Sequence, residues 1–153
     1  MIDTTKMLLT FLSESVTDLG FDKDQITFTS VHPKDINGTK VAQVNLYLYH
    51  LSDNSNLRNM DLREKPETNL ILRLNYRYII TTHGLEDESE SLVLLEKLGE
   101  LLFKNPCIES QTNQAVLEIV MDRNTPEFLT NLWQALQAPL RPSLNYIVRK
   151  RAK

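Results

Sequence analysis

One stretch constrains the fold more than any other: Leu70 to Thr82, LILRLNYRYIITT, in which Leu70, Leu72, Leu74, Tyr76, Tyr78 and Ile80 hold the even positions. Arg73, Asn75, Arg77 and Thr81 interleave at the odd ones. A period of two marks a strand with one face on a core and the other toward solvent or a partner. Upstream, Val44 to Leu51 sets Val44, Leu46 and Leu48 against Asn45, Tyr47 and Tyr49, so one face is aliphatic and the other amphipathic. That pattern predicts a central strand whose outer face is partly covered. Between the two strands lie the polar elbow Ser52 to Asn59, SDNSNLRN, and the charged excursion Met60 to Thr68 with Pro66, which read as exposed connection.

The flanking sequence supplies layers for this unit. Met7, Leu8, Phe11, Leu12, Val16 and Leu19 recur at helical spacing, which predicts an amphipathic helix over Thr4 to Leu19 with Asp3 or Thr4 as N-cap and Gly20 as its stop. Ile26 to Val31 alternates as a strand, and Asn37-Gly38 offers the turn of a hairpin into Lys40 to Leu51. Asp87 with Glu90 makes a capping box for a helix to Phe103, with Leu92, Leu95, Leu98, Leu101 and Leu102 as the buried stripe and Asn105-Pro106 as its end. Ala115 to Met121 reads as a strand. Thr125-Pro126 then supplies an N-cap and an N1 proline for a helix carrying Phe128, Leu129, Leu132, Trp133 and Leu136, closed by Ala138-Pro139. Leu144, Tyr146 and Val148 alternate in a final strand. The order predicts one α+β domain over residues 1–148, a largely antiparallel or mixed sheet backed by about three helices, with a basic tail at 149–153.

Composition bounds the function classes. At 153 residues, 41% hydrophobic and 24% charged, the chain is long enough for one core that needs no staples. The net charge of −3 gives no long-range attraction for nucleic acid or an anionic membrane, and only Arg149, Lys150, Arg151 and Lys153 form a basic cluster, read as a solvated end. The single cysteine, Cys107, excludes an internal disulfide and fits a reducing compartment, where a buried or half-buried thiol is expected. The first apolar stretch is broken by Thr10, Ser13 and Glu14, so neither a signal peptide nor a membrane span is expected.

Chemistry is sparse. Four glycines cannot assemble a phosphate loop or a dinucleotide fingerprint, and His32, His50 and His83 lack metal-ligand spacing, so no catalytic, cofactor or metal residue is nominated. The elbow resembles a calcium loop superficially, with Glu64 following Asp53, but Leu57 and Arg58 stand where that loop needs an oxygen ligand and a glycine. Asp53, Asn54 and Asn56 can instead turn the chain through side-chain bonds to nearby backbone. Arg58 offers a fork of donors to a carboxylate or to carbonyls, within the subunit or across an interface, with a solvated arginine as the alternative. Asn54, Asn56, Leu57, Arg58, Asn59 and Asp61 are the candidate interface residues. Tyr47, Tyr49, Tyr76 and Tyr78 read as core or edge of core, with a ligand platform as the other reading.

The run VNLYLYHLSDNSNLRN, the charged excursion and LILRLNYRYIITTHG together resemble the tail-terminator or cap proteins of extracellular contractile injection systems. These are phage-tail-like particles such as the Photorhabdus virulence cassettes and the antifeeding prophage. LWQALQAPLRPSLNYIV is similar to that family's tryptophan helix, proline-containing turn and final strand. The resemblance spans roughly Met1 to Val148, and longer relatives continue past the final strand. It implies a six-fold ring that stops polymerisation of inner tube and sheath, with itself, the sheath protein and the tube protein as partners, and neither nucleic acid nor membrane. It also implies assembly in the cytoplasm before release with the particle. An adaptor or loading factor of the same particle is the second reading, separable by co-purification with assembled tails. An enzyme with a site built from distant residues is the third, favoured by a pocket lined by His50, Asp53 and Arg58.

Overall fold

The computed structural model describes residues 3–36, 42–53, 74–84, 87–109 and 115–152. They form helices α1 (Thr4–Ser15), α2 (Glu88–Lys104) and α3 (Pro126–Leu136) and strands β1 (Ile26–Thr29), β2 (Ala42–Asp53), β3 (Leu74–His83), β4 (Cys107–Glu109), β5 (Ala115–Met121) and β6 (Leu144–Ala152). The strands make one mixed sheet in the order β1-β2-β3-β6-β5-β4. All neighbours are antiparallel except β1 and β2.

Local chemistry places the helices as expected. Asp3 accepts from the Lys6 N–H at 3.2 Å, Asp87 from the Ser89 N–H at 3.0 Å and Thr125 from the Phe128 N–H at 3.1 Å, each satisfying a donor that the first helical turn leaves free. The first helix is shorter than its apolar spacing predicts. It tightens to a 3-10 turn over Val16–Leu19 before Gly20 closes it with φ +86°. The stripe of α2 also differs: Leu94, Leu95, Leu98 and Leu102 are buried, while Leu92 is 43% exposed.

Two cores flank the sheet. On one face Leu8 and Leu12 of α1, Val16, and the α2 leucines pack on Val44, Leu46, Tyr78, Ile80, Leu117, Ile119, Tyr146 and Val148. On the other, Trp133 and Leu136 of α3 cover Ile79, with Tyr47 and Tyr49 against them. Burying each such large apolar side chain contributes about 1.5–3 kcal/mol. Leu70 to Arg73 lie outside the described residues; from Leu74 on, the alternation does not separate a core face from a solvent face, since residues 78–82 are all buried and the second face carries α3. The tyrosines belong to these cores. Tyr76 and Tyr78 stack with centroids 6.5 Å apart, and burial pushes the Tyr78 and Tyr146 hydroxyls up to about 12.

Three further expectations are corrected. The β1–β2 hairpin is instead a parallel pair, with Ile26 beside Ala42 and Thr29 beside Asn45, a direction that a tight turn cannot connect. Asn37 and Gly38 lie outside the described residues. Cys107 is exposed, since three-residue β4 is an edge strand that turns only Ile108 inward. Arg149, Lys150 and Arg151 continue β6: Arg149 Nε donates to Asn75 Oδ1 at 3.1 Å, and Arg151 pairs with Glu118.

Candidate functional site

The six elbow residues named from sequence, Asn54, Asn56, Leu57, Arg58, Asn59 and Asp61, lie outside the described residues. Their root is described: the β2–β3 ladder runs to Asp53 opposite Leu74. A register shift between Leu48 and His50 leaves Tyr49 extra, so Leu48 faces Tyr78 while Leu51 faces Tyr76. One extra residue exchanges the faces of the strand and adds twist. Beyond that bulge the outward chemistry changes from aliphatic to mixed, with His50 and Leu51 both exposed.

Near the bulge, on the α3 face, Arg77 Nη1 donates to Asp122 Oδ2 at 2.6 Å. Burial, then the Asp122 charge, raises the Tyr49 hydroxyl above its ordinary range. These groups neutralise one another, so the pair holds the end of β5 to β3.

At the opposite end of the sheet a cleft of about 610 Å³ opens where β3 ends and α2 begins. Its walls include Leu92, Leu95, Trp133, Leu140, Pro33 and Ile36, and its polar end holds His83, Ser91, Glu88 and Arg141. Thr82 and Ser91 bind the start of α2 to β3 through their hydroxyls, 2.5 Å apart. Arg141 sits between Leu140 and Pro142, two positions after Pro139, in the connection from α3 to β6. Its guanidinium donates to Thr82 O and, at 2.8 Å, to His83 Nδ1. Arginine has no acceptor, so Nδ1 must be the bare nitrogen and Nε2 carries the hydrogen, donated to Thr81 Oγ1 at 2.7 Å. Burial and the adjacent Arg141 charge pull His83 down to about 4, which keeps the ring neutral.

That tautomer has a chemical consequence. A histidine that donates to a hydroxyl cannot take its proton, so Thr81 and His83 are not a nucleophile and base. This cleft is not the His50, Asp53 and Arg58 pocket that would favour an enzyme: His50 is exposed on β2 and is not among its lining residues, and Arg58 lies outside the described residues. Pro139 and Pro142, on either side of Leu140-Arg141, stiffen the loop that holds the cation.

Residues 3–150 match the family model described as the Pvc16 N-terminal domain. The chain belongs to that family. No curated protein matches it in sequence. Among solved structures, the chain is similar to the PVC sheath/tube terminator of an extracellular contractile injection system in its extended state, with a TM-score of 0.59 and 16% identity. That likeness covers 99% of this chain and 58% of the other. It is also similar to the tube-terminating cap of the anti-feeding prophage, with a TM-score of 0.56 and 15% identity over 95% of this chain and 55% of that one. At such identities the likeness establishes the fold, and the chain spans somewhat over half the length of both relatives.

Proposed function

We propose that this domain is a structural cap that ends the inner tube and sheath of a contractile injection system and catalyses no reaction. The observation that carries the reading is the correspondence of nearly the whole chain to the fold of a sheath/tube terminator. Membership of the Pvc16 N-terminal domain family supports it. Sheath and tube subunits add through repeated identical contacts, so an open end keeps growing until a surface without a further site covers it. In this reading the cap is a six-fold ring, closed by head-to-tail contacts after a fixed rotation. It is assembled inside the producing cell and leaves with the particle.

The sheath contact in this proposal is strand addition at a sheet edge. β1 pairs only with Ala42 to Asn45, so among the described residues Leu46 to Asp53 have a strand partner on one side alone. Such an edge invites backbone pairing. The tube contact is assigned to the elbow 54–61 at the far end of the same strand.

Deleting the gene yields tails of uncontrolled or unstable length, and the purified protein binds tail ends and not their sides. Uniform, stable, contractile particles in the deletion strain defeat the cap reading. A particle-bound copy number that is not a multiple of six defeats the ring.

A further inference from the structure

Helix α2 joins two surfaces that are each incomplete. Its first turns line the Arg141 cleft through Glu88, Ser91, Leu92 and Leu95. From there it crosses the sheet: Gly99 lies against Leu144 and Tyr146 of β6, and Asn105-Pro106 delivers the chain to edge strand β4, with Pro106 O accepting from the Ile119 N–H at 2.8 Å. A rise of 1.5 Å per residue carries Phe103 about 18 Å along the helix from Ser91. The cleft, with Pro33 and Ile36 in its wall, is toward the β1–β2 side of the sheet, and Phe103 is toward the β4 side.

The two surfaces have opposite needs. Arg141 is half-buried, forms no ion pair with a carboxylate among the described residues, and its Nε is buried without a partner. Trp133, 2% exposed in the same wall, also has an indole N–H without an acceptor. Around them Leu92 and Leu140 stand 43% and 62% exposed. At the other end Phe103 is 86% exposed, far more than any other large apolar side chain among the described residues. Exposed Glu100 and Glu96 precede it by three and seven positions, so all three lie on one helical stripe. The ring of Phe103 matches the exposed apolar wall of the cleft, and Glu100 offers a carboxylate acceptor to the Arg141 guanidinium, which feels the charge of Glu88 without an ion pair to it.

We propose that adjacent copies of this chain pack head to tail, with Phe103 and Glu100 of one copy seated in the Leu92, Leu140 and Arg141 cleft of the next. A patch and its complement on opposite flanks of one molecule make a heterologous contact, the kind that builds a ring when the rotation closes. The inference rests on the ring reading above and names the surfaces that form it.

The test is cross-linking of full-length protein, free at high concentration and bound to tail ends. In a Cys107→Ser background, Phe103→Cys and Leu140→Cys together give an intermolecular disulfide ladder on mild oxidation, and neither single variant does. Phe103→Asp and Glu100→Lys change only exposed positions and leave the monomer folded; Phe103→Asp weakens self-association roughly 30-fold, the scale of an interface anchor. A ring on the tail end that gives no Phe103 to Leu140 cross-link, or that survives Phe103→Asp, overturns these surfaces and leaves the ring standing. Failure of any copies to associate, in solution and on tails, overturns both.

Discussion

The side chain of Asn45 bonds both backbone polar groups of Val31: Oδ1 accepts from the Val31 N–H at 3.0 Å, and Nδ2 donates to Val31 O at 2.9 Å. It also accepts from Thr29 Oγ1 at 2.9 Å. Asn45 is fully buried, so the carboxamide serves as one more rung after the parallel β1–β2 ladder ends at its own position.

Replacing it by alanine removes the partner of the part-buried Val31 N–H and C=O and of the Thr29 hydroxyl. Asn45→Ala costs about 1–3 kcal/mol, seen as a lower urea midpoint with an unchanged slope. Hydrogen exchange at Val31 accelerates more than at Ile79. An unchanged midpoint shows that water replaces the carboxamide without penalty.

Stability falls on mild acidification through His83. Its folded value of about 4 lies below the ordinary 6.5, so between those values the unfolded chain binds a proton that the folded one does not. The contribution is complete above about pH 6.5 and is lost as pH falls toward 4. Solvent screening of a half-buried ring reduces it to on the order of 1–2 kcal/mol. His83→Asn flattens this window in thermal unfolding measured across pH, and an equal slope in both proteins assigns the effect elsewhere.

Gln137 ends α3 with φ +57°, the left-handed conformation that glycine adopts without cost. Gln137→Gly raises stability by about 0.5–1 kcal/mol, less whatever its exposed bond from Lys34 Nζ contributes. Calorimetry decides it; a fall in melting temperature means that the bond outweighs the strain.

In the proposed cap, Arg58 belongs to the elbow that meets the tube. If it holds a partner carboxylate there, Arg58→Ala weakens binding to tail ends by roughly 2–5 kcal/mol and leaves the monomer folded. Loss of folding places the side chain inside the domain, and normal incorporation into particles returns it to a solvated loop.

Much of this fold was legible where its causes are local. The caps at Asp3, Asp87 and Thr125 and the N1 proline Pro126 act within one turn, so the spacing of a few residues suffices to find them. Strand direction is not local: Ile26 to Thr29 reads the same whether it pairs parallel or antiparallel, and the crossover that decides it is set by the whole sheet. β4 is too short to carry a period. In α2 both Leu92 and Leu94 fit a helical stripe, and only packing on the sheet selects Leu94. The cleft was illegible because Arg141 and His83 meet through tertiary contact across 58 positions. Of the elbow, only the strand end that carries it is described.

The position of β6 sets the timing of folding. It stands between β3 and β5 although it is the last strand in sequence. While the chain emerges from the ribosome, the β2–β3 ladder and the β4–β5 pair are separate pieces with facing, unfilled edges. The domain closes when 144–152 slots between them and brings Tyr146 and Val148 into the core under α1 and α2. A chain without 144–152 in place therefore lacks the strand against which Gly99 of α2 packs, and its surfaces stay unfinished until that strand arrives.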